Sequence, residues 1–281
     1  MKIGLCIFLT HYAAAPEETA KAAEDLGFES LWMPEHPCIP VSYDTPFPGS
    51  ADGKVPRQYW SSYDPFVALS FAAAATHALK IGTGICLLAQ RDPIVTAKEV
   101  ASLDVLSHGR FLFGVGGGWL REEMELMGAT YARRWAQVKD RMMAMKAIWT
   151  QPEAEYHGEF ANFQPIKSDP KPLQKLYPPI HVGGAHPNSY KRVGEWADGW
   201  IPLSLTPAEV VLGREKIAGY AKAAGRDPGK IEISVFGQEP AKELLKEYAD
   251  VGLTRYVVFV QSFASGEMQR QLAILAGNLG L

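Results

Sequence analysis

Short apolar runs alternate with helical patterns along the whole chain, and this alternation constrains the fold more than any other feature. The helical stretches open with proline or aspartate and close near glycine, which are the usual start and stop signals of helices. Strands that alternate with helices form parallel sheets, whose strands are buried on both faces and are therefore continuously apolar. Eight runs have this character: residues 2–8, 30–36, 80–88, 110–116, 179–184, 199–203, 231–236 and 256–260.

Eight strand–helix units in 281 residues favour a closed barrel. We therefore predict an α/β protein with a single (β/α)₈ TIM barrel, in which residues 1–281 form one domain. The alternative is an open doubly wound sheet, which usually carries a glycine-rich nucleotide fingerprint after its first strand. Here the first strand ends in Phe8-Leu9-Thr10-His11, without such a fingerprint.

Two insertions interrupt the repeating pattern. Residues 37–63 follow strand two, and residues 150–178 precede strand five, with a predicted hairpin at 155–160. Long loops inside a compact domain are usually functional, and catalytic loops of these barrels follow the carboxyl ends of strands. We expect the first insertion to contribute substrate-binding side chains, with Trp60 and Tyr63 as candidates. The alternative is that its aromatic residues only pack the loop down.

Charge and cysteine content restrict the class of partner. The formal net charge is −3 and no long basic run occurs, so nucleic acid and anionic membrane surfaces are not expected partners. The three cysteines are widely spaced, which is typical of a reducing compartment. No run approaches the roughly 20 apolar residues of a membrane helix. The sequence predicts a cytoplasmic protein that acts on a small molecule.

Common metal and nucleophile signatures are absent. There is no His-Glu-x-x-His, no clustered Cys/His set, no P-loop and no Gly-x-Ser-x-Gly. A metal-dependent hydrolase barrel would need converging ligands at strand ends, and only His36 and His181 are candidates. His181 alternates with apolar neighbours within a strand, which favours a structural role. We therefore predict no metal site.

Glycines close three consecutive predicted strands. They are Gly84, the pair Gly116-Gly117 and the pair Gly183-Gly184. Glycine permits the close approach of a flat ligand, although it also relieves crowding within barrels. The last pair precedes a predicted helix, whose free backbone N–H groups suit a phosphate. This pattern favours a floor for a ring-shaped ligand with a phosphate nearby.

Three segments resemble the luciferase-like monooxygenase superfamily. Residues 103–110 (LDVLSHGR) and 113–120 (FGVGGGWL) are similar to its most specific signature. Residues 64–66 with 81–84, and residues 178–184 with 197–200, are similar to two further segments. The resemblance runs from residue 1 to about residue 205. Within the superfamily, the chain looks most like the probable coenzyme F420-dependent oxidoreductases.

The resemblance implies a flavin-type cofactor, with coenzyme F420 expected first and FMN as the alternative. It implies hydride transfer to or from a small organic substrate, or a monooxygenase reaction if the cofactor is FMN. A backbone bulge at Gly84-Ile85, often with a cis peptide, is also implied. The positions implied to contact the cofactor are Gly84, Ile85, Gly116 and Gly117 at the ring, Arg134 and Trp135 beside it, and Gly183 and Gly184 at the phosphate.

His36 and Glu35, at the end of strand two, are the predicted catalytic residues. A histidine with a neighbouring carboxylate is suited to acid–base work, although His36 could instead bind the inserted loop. Arg133 is an alternative to Arg134 as the cofactor contact. Lys191 and Arg192 are candidates to line an exit for the polyglutamyl tail of F420, or they are solvated surface charges. A non-catalytic flavin-binding barrel is the rival function.

The second predicted helix suggests an oligomer. Residues 67–75 (VALSFAAAA) are apolar nearly all round, whereas a barrel helix needs only one apolar stripe. The family also tends to dimerise. We therefore expect a homodimer that pairs through the helices at 64–76 and 92–109.

Overall fold

Eight parallel strands close into a barrel in the computed structural model, which describes residues 1–281. The strands of the chain are β1 (Lys2–Ile7), β2 (Ser30–Met33), β3 (Lys80–Thr83), β4 (Phe111–Val115), β5 (Ala154–His157), β6 (Asn162–Ile166), β7 (Ile180–Gly183), β8 (Gly199–Ile201), β9 (Glu232–Gln238) and β10 (Arg255–Val260). All except β5 and β6 belong to the barrel, and β1 closes it by pairing with both β2 and β10. The predicted TIM barrel is confirmed.

Helices follow the barrel strands and cover the outside of the barrel. They are α1 (Pro16–Asp25), α2 (Gln58–Ser61), α3 (Pro65–Ala74), α4 (Pro93–Leu106), α5 (Arg121–Leu126), α6 (Arg134–Thr150), α7 (Pro187–Trp196), α8 (Pro207–Ala223), α9 (Lys242–Asp250) and α10 (Ser265–Leu279). None of them is both long and apolar enough to cross a membrane.

Helix starts are set by short polar residues before a proline. The carboxylate of Asp64 accepts hydrogen bonds from the backbone N–H groups of Phe66 and Val67, at 2.9 and 3.1 Å, so it caps α3 as the sequence predicts. Asp92 caps α4 in the same way. These caps fix where each helix leaves the mouth of the barrel, and thus where the loops that carry the site begin.

Inside the barrel, a small buried cluster lies directly under the mouth. Its members are Cys6, Trp32, Leu112, Ile201, Phe236 and Val257, and the side chain of Ile85 packs on top of it. The barrel is therefore a filled core rather than a pore. A ligand has room only above this layer, at the carboxyl ends of the strands.

The third strand differs from the prediction in length. It ends at Thr83 rather than continuing to residue 88, and beyond it Cys86 forms only an isolated bridge with Val115. The Gly84–Ile85 peptide between these segments is cis, as the family resemblance leads one to expect. The apolar run continues through the break because the residues on both sides of it are apolar, whereas the family resemblance places an irregular backbone at Gly84-Ile85.

Both insertions contain secondary structure. Residues 37–63 include the short helix α2, which the sequence pattern does not predict. The second insertion forms the hairpin of β5 and β6, whose turn is closed by a 2.9 Å hydrogen bond from Gly158 N–H to the carbonyl of Ala161. The predicted hairpin at 155–160 therefore covers the first strand and the start of the turn, and it misses the second strand.

Candidate functional site

A cavity of about 300 Å³ opens at the mouth of the barrel. It lies at the carboxyl ends of the strands, where active sites of TIM barrels are found. The predicted site residues line it, except for Arg134, Trp60 and Tyr63. The fold therefore brings most of the predicted site residues together around one cavity, along with side chains that the sequence did not single out.

Two glycines of the cavity floor are required by neighbouring side chains. A Cβ on Gly116 would lie 1.7 Å from Cδ1 of Ile85, and one on Gly117 would lie 2.9 Å from the indole of Trp135. Both distances are below van der Waals contact. The glycines thus allow Ile85 and Trp135 to lie flat along the floor, and these two side chains offer apolar surface to a ligand.

His36 forms a buried pair with Glu123 of α5. The ring Nδ1 lies 2.9 Å from Glu123 Oε2, and Nε2 accepts a 3.3 Å hydrogen bond from the indole N–H of Trp119. Because a carboxylate only accepts and an indole N–H only donates, this pattern assigns the neutral tautomer with hydrogen on Nδ1. Nε2 is therefore the basic nitrogen, and it belongs to a residue that lines the cavity.

Glu123 is enclosed but only partly satisfied. Its side chain is 1% exposed, and Oε1 has no hydrogen-bond partner. A buried polar atom without a partner is costly, and such atoms mark strain, a catalytic role or an unseen water or ligand. Oε1 of Glu123 can therefore accept a further hydrogen bond close to His36.

Glu35, the other predicted catalytic residue, is engaged on both oxygens. Oε1 accepts a 2.6 Å hydrogen bond from Arg91 Nε, and Oε2 accepts one of 2.7 Å from the backbone N–H of Leu87. Burial raises the pKa of the Glu35 carboxyl, and the charge of Arg91 opposes that shift. Arg91 also binds Asp64 and Glu99. Glu35 thus connects the end of β2 to the loop after β3, and the carboxylate that contacts His36 is Glu123.

The first insertion covers one side of the cavity with aromatic rings. Tyr59 packs 4.5 Å from Phe8 and 5.1 Å from His36, measured between ring centroids, and Phe47 packs against both Tyr59 and Trp119. Tyr59 lines the cavity, whereas Trp60 and Tyr63 are 52% and 40% exposed and lie outside the lining. The helical turn of α2 points successive side chains in different directions, which the sequence pattern does not reveal.

On the opposite side, two arginines lie together without acidic partners. The Arg134 guanidinium lies 4.1 Å from the ring of Tyr131, and the Arg192 guanidinium lies 4.0 Å from the ring of Trp135. Burial, together with the positive charge of Arg134, lowers the pKa of Arg192 to about 10. Nε of Arg134 is buried and has no hydrogen-bond partner. Two cations held this close are suited to bind an anion between them.

Neighbouring basic residues are neutralised, in contrast to this pair. Arg133 forms an ion pair with Glu159, and Lys191 lies 3.7 Å from Glu195. Of the two alternatives at 133 and 134, Arg134 is therefore the one without an acidic partner; its guanidinium stacks on Tyr131 and donates to the Tyr131 carbonyl. Lys191 and Arg192 are the two residues expected at an exit for the F420 tail, and of these only Arg192 lacks an acidic partner.

The Gly183-Gly184 turn lies beside the arginines, at the start of α7. Gly184 has φ +95°, which is favourable only for glycine. Its carbonyl accepts a 2.7 Å hydrogen bond from the indole of Trp200, and this bond holds the turn in place. His186 caps the helix through Nδ1, which accepts from the N–H of Asn188. The turn lines the cavity, and Arg192 of the same helix stacks on Trp135, which also lines it.

These features fit a flat cofactor that carries a phosphate. Ile85 and Trp135 supply apolar surface for a ring, and the unpaired guanidiniums of Arg134 and Arg192 supply charge for an anion. The residues that sequence reasoning did not assign are Glu123, Arg91, Trp119, Tyr59 and the pairing of Arg192 with Arg134. The Glu122-Glu123 pair after the glycine run was visible in the sequence, but nothing in it indicated contact with His36. No group of three His, Cys, Asp or Glu side chains is arranged to hold a metal ion.

The sequence model of the luciferase-like monooxygenase family matches residues 1–249. An uncharacterized protein of Mycobacterium tuberculosis (strain H37Rv) is 33% identical over 282 residues, which cover 99% of each chain. A phthiodiolone/phenolphthiodiolone dimycocerosates ketoreductase of Mycobacterium tuberculosis (strain H37Ra) is 28% identical over 243 residues, which cover 82% of this chain and 63% of that one.

Solved structures share the fold. An F420-dependent secondary alcohol dehydrogenase, solved with an F420–acetone adduct, superposes with a TM-score of 0.77 at 16% identity and covers 99% of this chain and 98% of that one. The oxygenating constituent of a diketocamphane monooxygenase from Pseudomonas putida, solved with FMN, has a TM-score of 0.61 at 18% identity and covers 88% and 71%. By its sequence match and its barrel, the chain belongs to the luciferase-like monooxygenase family.

Proposed function

We propose that this protein is an oxidoreductase that uses a flavin-type cofactor, with coenzyme F420 first and FMN second, to transfer a hydride to or from a small organic substrate. One observation carries the proposal. The cavity contains a neutral histidine paired with a buried carboxylate, and two arginines without acidic partners lie next to Trp135, which lines the same cavity. The histidine–carboxylate pair can accept and return a proton, and the two arginines can bind an anionic cofactor.

His36 is the proton-handling residue in this proposal. Its Nε2 faces the cavity as an acceptor, and a substrate hydroxyl that displaces the Trp119 N–H would donate to it. Glu123 then stabilises the imidazolium that forms, because its carboxylate already binds Nδ1 at 2.9 Å. Glu35 acts as a positioning residue in this scheme, since Arg91 and the Leu87 N–H occupy its oxygens.

The cofactor supplies hydride chemistry when it is bound, and the protein supplies its binding and orientation. Gly84, Ile85, Gly116 and Gly117 form the surface under the ring, with Trp135 beside it. The phosphate would bind at the Gly183-Gly184 turn, with Arg134 and Arg192 as the candidate cations. The preference for F420 rests on family resemblance and on the half-exposed position of Arg192, which suits an anionic tail that continues into solvent.

Titration with each cofactor tests the proposal. The purified protein is titrated separately with F420 and with FMN, and binding is followed by absorbance and by quenching of tryptophan fluorescence. We expect tight binding of F420. Tight binding of FMN without detectable F420 binding would transfer the assignment to an FMN-dependent monooxygenase, and binding of neither would refute the proposal. Binding of a cofactor without turnover of any carbonyl or alcohol would favour the non-catalytic barrel.

We also propose a homodimer that pairs through α3 and α4. Four apolar side chains project outward from these helices, each more than half exposed: Val67 58%, Phe71 57%, Val95 56% and Leu106 68%. Val67 and Phe71, four residues apart, share one face of α3, and exposed apolar surface of this kind is a common feature of protein interfaces. Sedimentation of the wild type at micromolar concentration should give a dimer, and Phe71→Glu should give a monomer. The control Ile274→Glu, at a 51% exposed position on α10, should remain dimeric.

A further inference from the structure

The cavity wall offers no positive charge to a substrate. Among its lining residues, only Glu35, His36, Tyr59, Trp119 and Trp135 have polar side-chain atoms, and none is lysine or arginine. The charge of Glu35 is compensated by Arg91. The remaining charge near His36 is the carboxylate of Glu123, whose Oε1 has no partner. An anionic substrate group would therefore lose its hydration without gaining a counter-ion, and it would also be repelled.

One side of the cavity is apolar and continues out to solvent. We call Leu203, Phe236 and Phe259, at the ends of β8, β9 and β10, the apolar wall. Phe236 is 2% exposed, whereas Phe259 is 46% and Leu203 is 59% exposed, and all three line the cavity. Apolar surface that leads from a ligand cavity to the outside is a common mark of a binding surface.

The apolar wall is held in place by the backbone. Ser204 has φ +48°, its N–H donates a 2.8 Å hydrogen bond to the carbonyl of Phe236, and its hydroxyl donates to the carbonyl of Gly237. A non-glycine residue with positive φ is uncommon and persists where its surroundings hold it there. The rings of Phe236 and Phe259 also pack edge to face. Leu203 is thus fixed at the opening and does not collapse onto the barrel.

The two sides of the cavity differ in charge and polarity. The arginines and the Gly183-Gly184 turn lie near Trp135, where the proposed function places the cofactor. The space that remains extends from His36 to the apolar wall. Its side-chain hydrogen-bonding groups are the His36 ring, the Trp119 indole N–H and the Tyr59 hydroxyl, and the rest is hydrocarbon or aromatic surface.

We propose that the substrate is an uncharged, largely apolar molecule with one carbonyl or hydroxyl group. A hydroxyl donates to Nε2 of His36, a carbonyl accepts from that nitrogen when the ring is protonated, and the hydrocarbon part lies along Leu203, Phe236 and Phe259 towards solvent. Phosphorylated, carboxylated and other anionic substrates are excluded by the lack of a cation in the wall. This inference rests on the proposed function for the position of the cofactor, and it adds the chemical class of the substrate.

A homologous ligand series tests the class. Methyl ketones and secondary alcohols of increasing chain length, and ω-carboxylates of matched length, are titrated calorimetrically into the cofactor-loaded protein. The neutral ligands should gain about fourfold in affinity with each added methylene until the wall is covered. The matched carboxylates should bind at least about tenfold more weakly. Equal or tighter binding of the carboxylates, or no dependence on chain length, would overturn the inference.

A pair of matched variants tests the position of the wall. Leu203→Lys places a cation in it, and Leu212→Lys places one on the outer surface of α8, where the leucine is 49% exposed but does not line the cavity. Leu203→Lys should weaken the long ketones about tenfold and tighten the ω-carboxylates by a similar factor. Leu212→Lys should change neither, and thermal unfolding of both variants checks that they fold. Identical behaviour of the two variants would contradict the inference.

The two proposals fail in different ways. If neither cofactor binds, the proposed function fails, but the Leu203→Lys and Leu212→Lys proteins still compare the ligand series on the cofactor-free cavity. If a cofactor binds and the series shows no preference for neutral, longer ligands, the proposed function stands and the substrate class is wrong.

Discussion

Arginines at the two ends of the barrel differ in whether they have acidic partners. At the amino end of the strands, Arg255 is fully buried and binds Glu29 through two hydrogen bonds of 2.7 and 2.8 Å, with Glu232 at 3.3 Å. At the carboxyl end, Arg134 and Arg192 have each other nearby and no acidic partner. The same residue type thus contributes to folding at one end and is left available for a ligand at the other.

The difference indicates where to look for function. Charges that neutralise one another add little to binding because their partners are already inside the chain. Two adjacent cations repel each other and destabilise the fold. Such destabilising arrangements are found mostly at functional sites, where a bound ligand can compensate for them. This division agrees with the general anatomy of TIM barrels, in which the carboxyl end is catalytic and the amino end is structural.

The largest expected effect is at the mouth. His36→Gln should lower turnover by about 10²- to 10⁴-fold, the usual contribution of a positioned proton donor or acceptor. Cofactor affinity should change by less than about threefold, since the apolar floor and the arginines remain. Steady-state kinetics and cofactor titration measure the two quantities.

A second variant separates the histidine from its partner. Glu123→Gln should reduce turnover less than His36→Gln does, because Nε2 remains basic while the imidazolium loses its stabilising charge. His157→Ala, at an exposed position in the hairpin, is the control and should leave turnover unchanged. Near-normal turnover of His36→Gln with an identified substrate would remove the proposed proton transfer.

The next effect is at the amino end and concerns stability. Arg255→Met leaves the partly buried Glu29 and Glu232 with only the more distant ammonium groups of Lys2 and Lys80, and it should lower the free energy of unfolding by about 3 kcal/mol. Urea denaturation measures this change. Arg270→Met removes an exposed arginine from an ion pair on α10 and should give no change beyond experimental error. Equal effects of the two variants would show that the amino end is not specially stabilising.

Acidification should destabilise the same end through His181. Burial, and then the charge of Arg255, lowers the pKa of His181 to about 3 from its usual 6.5. Between these values the unfolded chain binds a proton that the folded chain does not, so stability is full above pH 6.5 and falls as the pH drops. One such group lowers the free energy of unfolding by about 2 kcal/mol at pH 5.

Urea denaturation between pH 7 and pH 5 measures this slope. The slope should flatten in His181→Asn, whatever the absolute stability of that variant. His77→Asn, at an exposed position, should keep the wild-type slope. A slope in His181→Asn as steep as in the wild type would assign the acid sensitivity to other groups.

The smallest expected effect is at the carboxyl end of the barrel, where an arginine contributes to cofactor binding and not to stability. Arg192→Gln should weaken cofactor binding by about tenfold through loss of a charge-assisted hydrogen bond. In the cofactor-free protein, it should leave the free energy of unfolding within about 0.5 kcal/mol of the wild type, because relief of the repulsion from Arg134 offsets the lost contact with Trp135. Lys191→Gln, one residue earlier and already paired with Glu195, should change neither quantity. A marked loss of stability in Arg192→Gln would erase the contrast between the two ends.

Much of the site was visible in the sequence, but its pairings were not. The pattern located His36 at a strand end and Gly84-Ile85 at an irregular backbone, because both follow from the local strand and from the family motif. It assigned Glu35 as the carboxylate beside His36, since these residues are neighbours in the chain. The structure instead joins His36 to Glu123 and Glu35 to Arg91, which lie 87 and 56 residues away.

The sequence by itself determined the barrel, the order of its strands and the end at which the cavity opens. Alternating apolar runs and helix caps encode these features locally, and parallel connection of eight strands leaves few other arrangements. The tertiary structure decided which charges meet, which aromatic ring of residues 59–63 turns inward, and where hydrocarbon surface reaches solvent. These depend on side-chain distances between segments far apart in the chain. A periodic pattern specifies the face of a helix or strand on which a residue lies. It does not specify which side chain from a distant segment packs against that residue.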